Sequence, residues 1–372
     1  MMNCSHIPTV AYREFSSKIH NRVIDDRVPI AGSFELTNRC NYDCAHCYIV
    51  TGPAPDPLEM STDQVKRTLD EMAEMGTLWL LLTGGDPLIR KDFKEIYLHA
   101  KQAGFLINIF TNGSLVTDEI ADMFAEWRPF SIEITLYGHS EETYETVAVK
   151  RGSHARAREG IRKLIERDCP LELKSVAMTL NYHELDDMKE WVEAQGMEFR
   201  FDQVINPRKD GGANPLSVRL SPEMVLDLDM EDEERLDAWV EFMCRFNRRR
   251  QTDGHLYHCG AGLVNFNITA YGQLTMCGMS QRPGYDLVAG SFREGWEHAL
   301  PKERARYYSK DYECTTCDLI SLCGNCPAMA EMENGDPETT VEYLHEIANL
   351  RASAFEVSPS CYVPKGMMPV QG

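Results

Sequence analysis

The sequence predicts an α/β fold: a partial (β/α)6 barrel with a smaller cysteine-rich domain behind it. Three features carry that expectation. From Gly32 to about Val204, short apolar runs alternate with amphipathic stretches, the pattern of parallel strands joined by helical crossovers. The stretch Asn206-Pro-Arg-Lys-Asp-Gly-Gly-Ala-Asn-Pro215 breaks that alternation with turn-forming residues. Beyond His255 lie seven of the chain's 13 cysteines, a clustering that points to metal ligands rather than packing.

The chain divides into an N-terminal arm (1–30), the barrel (31–205), a linker loop and helix (206–254) and the cysteine-rich domain (255–372). Strands are expected near 33–37, 78–83, 105–110, 131–136, 172–179 and 198–204. Ser61-Thr-Asp-Gln64 has the form of a capping box and opens a helix through about Met75. In the fourth strand Ser131, Glu133, Thr135 and Tyr137 alternate with Ile132, Ile134 and Leu136; in the sixth, Glu198, Arg200 and Asp202 alternate with Phe199 and Phe201. Strand side chains alternate between faces, so helices cover the apolar face and the polar one lines the lumen. Closed barrels pack the lumen with branched apolar residues, so a polar lumen implies a polar ligand; surface ion pairs on edge strands are the plainer reading. Ser221-Pro222-Glu223 starts a further helix. Its acidic run from Asp229 to Arg235 and basic Arg248-Arg249-Arg250 suit a helix dipole, so those arginines need no ligand.

A net charge of −20 argues against nucleic-acid binding, which depends on basic residues neutralising phosphates. No apolar run approaches the roughly 20 residues of a membrane helix. The arm lacks the apolar core of a secretory signal, so a cytoplasmic location is expected. That location and the chain's length favour metal ligation over disulfides for the clustered cysteines. Of those outside the clusters, Cys169 and Cys244 read as small buried hydrophobes, and Cys4 has no assignment.

The run Glu35-Leu-Thr-Asn-Arg-Cys40-Asn-Tyr-Asp-Cys44-Ala-His-Cys47-Tyr48 is the most informative in the chain. Three thiolates at this spacing can hold three corners of a 4Fe–4S cluster. Closed clusters normally take four cysteines, so the fourth iron is left open to a substrate or cofactor. Zinc would want a fourth ligand. His46 could supply one, but it lies between two cysteines, where all the side chains could not easily reach one ion.

CxxxCxxC after a short strand resembles the motif of the radical S-adenosylmethionine (radical SAM) enzymes. Leu81-Leu-Thr-Gly84-Gly85-Asp86-Pro87 resembles their glycine-rich stretch, with Asp86 where the family usually has Glu. Thr111-Asn112-Gly113 is similar to the end of their third strand, and Thr135 falls where relatives carry a polar residue near the ribose or carboxylate. The resemblance implies that Cys40, Cys44 and Cys47 hold the catalytic cluster. It implies that Gly84, Gly85, Asp86, Asn112, Thr135 and His46 border S-adenosylmethionine, with the glycines letting backbone approach its methionine group.

Behind the barrel, Cys259, Gly272 with Cys277, Cys314-Thr-Thr-Cys317, Cys323-Gly-Asn-Cys326 and Cys361 resemble the SPASM extension of a large radical SAM subgroup. The family's cysteine block ends in CxxxC, whereas this chain ends in CxxC. By that resemblance Cys314, Cys317, Cys323 and Cys361 complete one auxiliary cluster, and Cys259, Cys277 and Cys326 hold another. The second is one ligand short: His258 completes it, or its fourth iron is open to substrate. Paired zinc knuckles are the alternative for the CxxC pairs.

The resemblance therefore implies S-adenosylmethionine and three iron–sulfur clusters, one catalytic and two auxiliary. The implied activity is reductive cleavage of S-adenosylmethionine to a 5′-deoxyadenosyl radical that takes a hydrogen atom from the substrate. Members of the subgroup most often crosslink or oxidise side chains of ribosomally made peptides. The segments Pro207-Arg-Lys-Asp-Gly211 and Tyr137-Gly-His-Ser-Glu-Glu-Thr-Tyr144 look most like those of peptide maturases. Sulfatase-maturing relatives carry an Asp where this chain has Gly278-Met279-Ser280, which counts against that activity. Implied partners are a peptide substrate, an electron donor such as flavodoxin or ferredoxin and, because the arm is short, either a separate peptide-recognition protein or leader recognition by another surface of this chain. Tailoring of a small metabolite or cofactor precursor is the alternative function; a non-catalytic iron–sulfur or zinc protein is a more distant one.

Replacing Cys40, Cys44 and Cys47 together by Ala is expected to abolish reductive cleavage of S-adenosylmethionine while iron persists at the C-terminal cysteines. Iron analysis and 5′-deoxyadenosine quantification check this; nucleoside formed by the triple variant would refute the assignment.

Overall fold

The computed structural model describes residues 11–50, 58–231, 235–237, 239, 254–282, 284–317 and 319–355. Cys4, Cys244, Cys361, Arg248–Arg250 and most of the acidic run before Arg235 lie outside the described residues. No helix among the described residues is long and apolar enough to cross a membrane.

Six parallel strands form in chain order: β1 (Ala31–Thr37), β2 (Trp79–Gly84), β3 (Leu106–Thr111), β4 (Ser131–Leu136), β5 (Leu171–Val176) and β6 (Phe199–Asp202). Each strand pairs with its chain neighbours, and β6 is an edge, so the barrel is open. The crossovers are α2 (Thr62–Glu74), α3 (Phe93–Gln102), α4 (Asp118–Glu126), α5 (Glu141–Ala148) with α6 (Ser153–Glu166), and α7 (Leu185–Glu193). Helix α2 begins with the reciprocal Ser61/Gln64 capping box that the sequence predicts. β5 stops short of the predicted 179 because the Asn181 side chain takes its backbone: Nδ2 donates to the Val176 carbonyl at 3.0 Å, and Oδ1 accepts from the Met178 amide at 2.9 Å. β6 likewise ends where Asp202 Oδ1 accepts the Val204 amide at 2.9 Å.

The strand alternation has the predicted sense. Phe34, Leu82, Ile109, Ile132, Ile134, Leu136 and Leu173 are fully sequestered against the helices in one continuous core. On the opposite face, Glu133 is only 5 % exposed. It pairs with Lys174 at 2.7 Å and closely with Arg200, and Lys174 also lies over the Phe110 ring. Arg200 itself is exposed on the edge strand, so the polar face runs from buried lumen to surface ion pair.

Three further strands were not legible in the sequence. β7 (Asn265–Ile268) adds to the β1 side in parallel, and β8 (Gln273–Thr275) and β9 (Tyr285–Asp286) follow antiparallel. The glycine of the GxxxxC pattern has a positional reason: Gly272 takes φ +77° in the β7–β8 turn, and five residues later Cys277 emerges beyond β8. The arm contains helix α1 (Tyr12–Val23), which packs under the sheet, with His20 stacked 5.1 Å from Trp79 and Ile19 and Val23 against a small core of Ile30, Trp79 and Val264.

Helix α8 (Pro222–Met230) starts at the predicted Ser221 cap with Pro222 in its first turn. Its Asp229 is wholly buried. The carboxylate receives Arg351 at 2.7 Å, Arg235 at 2.8 Å and the Trp239 indole at 3.0 Å, while Arg351 also donates to the Leu322 carbonyl at 2.9 Å. The C-terminal helix Glu342–Ala354 is thereby tied both to α8 and to the residue before Cys323.

Removing one partner of a buried pair strands the other charge. Asp229→Leu is therefore expected to cost about 3–5 kcal/mol, measurable as a lowered midpoint of chemical denaturation. A midpoint shift equivalent to under about 1 kcal/mol would mean that Arg351 is satisfied without it.

Candidate functional site

The cysteine loop leaves the C-terminal end of β1 and is pinned on both flanks. The Asp43 and Ala45 amides donate to the Ala148 and Val147 carbonyls at 3.2 and 2.9 Å, and the Tyr42 hydroxyl donates to Ser153 O at 3.1 Å. The Cys47 amide closes a turn on Cys44 O at 3.0 Å. Cys40 Sγ accepts the Tyr42 amide at 3.4 Å and lies 3.8 Å from Asn112 Nδ2. Burial pushes the Cys40 thiol up to about 12, with Asp86 adding to the effect, and raises Cys44 and Cys47 as well. The loop thus offers three sheltered thiols that resist ionisation alone and would gain from a cationic iron cluster holding them as thiolates. The donor set fits such a cluster.

His46 is sequestered beside Tyr137, ring centroids 5.5 Å apart, and its Nδ1 has no hydrogen-bond partner. Burial lowers its pKa to about 4, so the ring is neutral near pH 7. A buried imidazole nitrogen in need of a partner at the lip of the loop suits contact with a ligand. Among the described residues, no three His, Cys, Asp or Glu side chains gather closely enough to share one metal ion.

At the end of β2, Gly84 has φ +135°, and a Cβ there would overlap the Thr37 carbonyl oxygen; one on Gly85 would overlap that of Arg39. The Gly85 amide donates to Thr37 O at 2.7 Å and the Asp86 amide to Arg39 O at 2.9 Å. These glycines are therefore demanded by the chain's own backbone, whatever else approaches them. Asp86 is fully buried, and its carboxylate accepts from Thr111 Oγ1 at 2.8 Å and from the Asn112 and Leu88 amides at 2.9 and 3.0 Å. Burial still raises it to about 6. Asp86, which the resemblance places beside S-adenosylmethionine, braces the ends of β2 and β3 with its side chain. Asn112 continues that brace through Asn41 Oδ1 at 2.9 Å, while Thr135 sits half-buried on the lumen face of β4.

The motifs do not announce the contacts that Glu35 makes. Glu35, on the lumen face of β1, is 4 % exposed and receives Lys209 Nζ at 2.8 Å and Asn267 Nδ2 at 3.5 Å. The Lys209 amide donates to Tyr48 O at 2.8 Å, so the loop 207–211 folds back from β6 onto the cysteine loop. Tyr48 is raised chiefly by burial, then by Glu35, Cys47 and Cys277. Period-two alternation around Phe34 and Leu36 could have flagged Glu35; nothing local announces its pairing with a residue 174 positions away.

The C-terminal cysteines surround a cavity of about 500 Å³ lined by Cys259, Cys277, Cys314, Cys317 and Cys326, with His258, Tyr308 and Tyr312. Two groups are evident in what raises each buried thiol after burial itself: Cys314 and Cys317 act on Cys323, and Cys277 and Cys259 on Cys326. Gly324, at φ +71°, turns the chain between Cys323 and Cys326, and Cys326 Sγ caps the helix Pro327–Asn334 by accepting the Met329 amide at 3.5 Å. His258 Nε2 lies 3.2 Å from Tyr308 OH. Cys277 also lines a second cavity of about 350 Å³ on the lumen side, with Ser33, Leu81, Asn108 and Gly278. The two cavities share that wall.

Comparison with known proteins agrees with this geometry. The model of the radical SAM superfamily matches residues 34–194. The PqqA peptide cyclase of Bradyrhizobium diazoefficiens is 32 % identical over 340 residues, 86 % of this chain and 88 % of that protein. The AdoMet-dependent heme synthase of Methanosarcina barkeri is 24 % identical over 323 residues, 82 % of this chain and 93 % of that protein. The crystal structure of Streptococcus suis SuiB bound to precursor peptide SuiA superposes with a TM-score of 0.66 at 14 % identity, covering 92 % of this chain and 83 % of that one; it shows a shared fold.

Because the Gly85 Cβ position is filled by backbone of the cysteine loop, Gly85→Val should displace that loop. Iron at the N-terminal site and affinity for S-adenosylmethionine are expected to fall together, read by iron analysis and equilibrium binding. Loss of affinity with normal iron content would return the glycine to a purely cofactor-facing role.

Proposed function

The chain belongs to the radical SAM superfamily, and on that footing we propose that it modifies a peptide, forming a crosslink or an oxidised side chain. It is an enzyme that uses S-adenosylmethionine and an iron–sulfur cluster. The observation that carries the peptide reading is its 32 % identity to a peptide cyclase over 86 % of its length. The loop 207–211 strapped across the barrel mouth and the lumen cavity support it.

In this reading Cys40, Cys44 and Cys47 hold the catalytic cluster. When bound, that cluster and S-adenosylmethionine supply a 5′-deoxyadenosyl radical able to take hydrogen from an unactivated carbon. The chain's own part is to orient and to exclude water. Gly84, Gly85 and Asp86 fix the floor of the cofactor site, while Asn112 ties it to the cysteine loop. His46 and Thr135 face the ligand space. Cys314, Cys317, Cys323 and Cys361 form one auxiliary site and Cys259, Cys277 and Cys326 the other. Cys277, shared between the two cavities, sets the latter beside the substrate. A flavodoxin or ferredoxin supplies electrons, and a separate protein recognises the peptide leader.

Tailoring of a small cofactor precursor is the second reading, favoured by the similarity to a heme synthase. Anaerobic incubation with the peptide encoded beside the gene separates the two. The peptide is expected to lose the mass of two hydrogen atoms only when S-adenosylmethionine and reductant are both present. An unaltered peptide alongside a converted tetrapyrrole precursor would establish the second reading.

A further inference from the structure

We propose that Glu35 is the proton acceptor for the substrate, a role that rests on the peptide-modifying reading above. Its position is the first argument. Glu35 lies five residues before Cys40 on the strand that launches the catalytic loop. Its Oε1 is also 3.8 Å from where a Cβ on Gly278, the residue after Cys277, would stand. The carboxylate therefore sits between the two cysteine sites, beside the lumen cavity that Ser33 and Gly278 line.

Its hydrogen bonding is the second argument. Both protein donors, Lys209 Nζ and Asn267 Nδ2, go to Oε1. Among the described residues no donor reaches Oε2, and that oxygen is not sealed from solvent. The buried carboxylates of Asp86 and Asp229, by contrast, have both oxygens engaged. Lys209 anchors one carboxylate oxygen, and the other is left with lone pairs that no described residue engages. Glu133, also buried on the lumen face, takes both Lys174 and Arg200 on its Oε2; it differs in place, since it lies three strands away on β4.

The chemistry requires such a group. A substrate C–H that has given its hydrogen atom to the adenosyl radical is a carbon radical. Joining it to a neighbouring N–H, or forming a double bond, still releases one electron and one proton. The electron leaves to a one-electron acceptor of the iron–sulfur class, and the proton goes to Glu35 Oε2, leaving the neutral acid. Each turnover thus removes two hydrogens from the peptide.

Glu35→Gln keeps the shape and an acceptor for Lys209 but cannot take the proton. The probe is the peptide encoded beside the gene, deuterated at carbon, incubated anaerobically with reductant. Deuterium is expected to reach 5′-deoxyadenosine in the variant, while modified peptide per 5′-deoxyadenosine drops at least tenfold. Iron content, cluster EPR spectra and peptide affinity by fluorescence anisotropy should match wild type, and Glu35→Asp should recover part of the coupling. Wild-type coupling in Glu35→Gln overturns this inference alone. If wild-type enzyme makes 5′-deoxyadenosine but alters no peptide, the peptide reading falls and this inference with it. If Glu35→Gln loses iron, Glu35→Asp decides: full iron with coupling no better than that of a Glu35→Ala variant overturns the role.

Discussion

Where β1 and β2 end, two backbones meet too closely for any side chain to intervene, and the rest of the site hangs on that contact. Gly85 and Asp86 donate their amides to Thr37 and Arg39, so the strand that carries the glycines also sets the path of the cysteine loop. The same turn sends Asp86 inward, where its carboxylate collects the end of β3. Three strand ends are thus locked before any ligand arrives. Such preorganisation is what a cluster with an open iron requires, because three ligands orient it less fully than four and the surrounding backbone must supply the remainder.

The open barrel leaves polar groups in the lumen that a closed barrel would replace with packed aliphatic side chains. Their burial is tolerated because opposite charges answer one another across strands: Lys174 to Glu133, Lys209 to Glu35. Such pairs add little net stability once desolvation is counted. Their effect is geometric. The Lys209 pair draws the loop after β6 back over β1, joining the first and last of the six parallel strands at the barrel mouth.

The sequence carried the fold where local pattern and global position agree. Six strands fell near their predicted places because each is an apolar run bounded by turn residues, and the Ser61 and Ser221 caps announced their helices. The elements missed depend on distant partners. β7 is four residues long and owes its existence to β1, more than two hundred residues earlier; by itself it reads as part of a cysteine-rich loop. Asp229 sits in an acidic run that looks solvated until Arg351 arrives from the last helix. The cysteine loop was legible because its three cysteines fall within one short run. The brace that Asp86 makes was not, since its partners Thr111 and Asn112 lie at the end of the next strand.

The thiols connect folding to loading. Burial raises the folded Cys40 thiol to about 12, above its unfolded value of 9.0. Below pH 9 it is protonated in both states, so the empty loop bears no ionisation penalty at neutral pH; that stability is lost only as pH climbs from 9 toward 12. Delivery of an iron cluster reverses the balance, because each ligating sulfur must give up its proton and the cluster's positive charge then holds the thiolate where solvent cannot. The apo chain can therefore fold with neutral thiols in a braced loop and exchange protons for iron afterwards. Burial also raises Cys323 and Cys326 to about 11, and Arg351, through its bond to the Leu322 carbonyl, holds the segment before Cys323 in place. Around both groups of cysteines, tertiary contacts that contain no sulfur set the thiols in position.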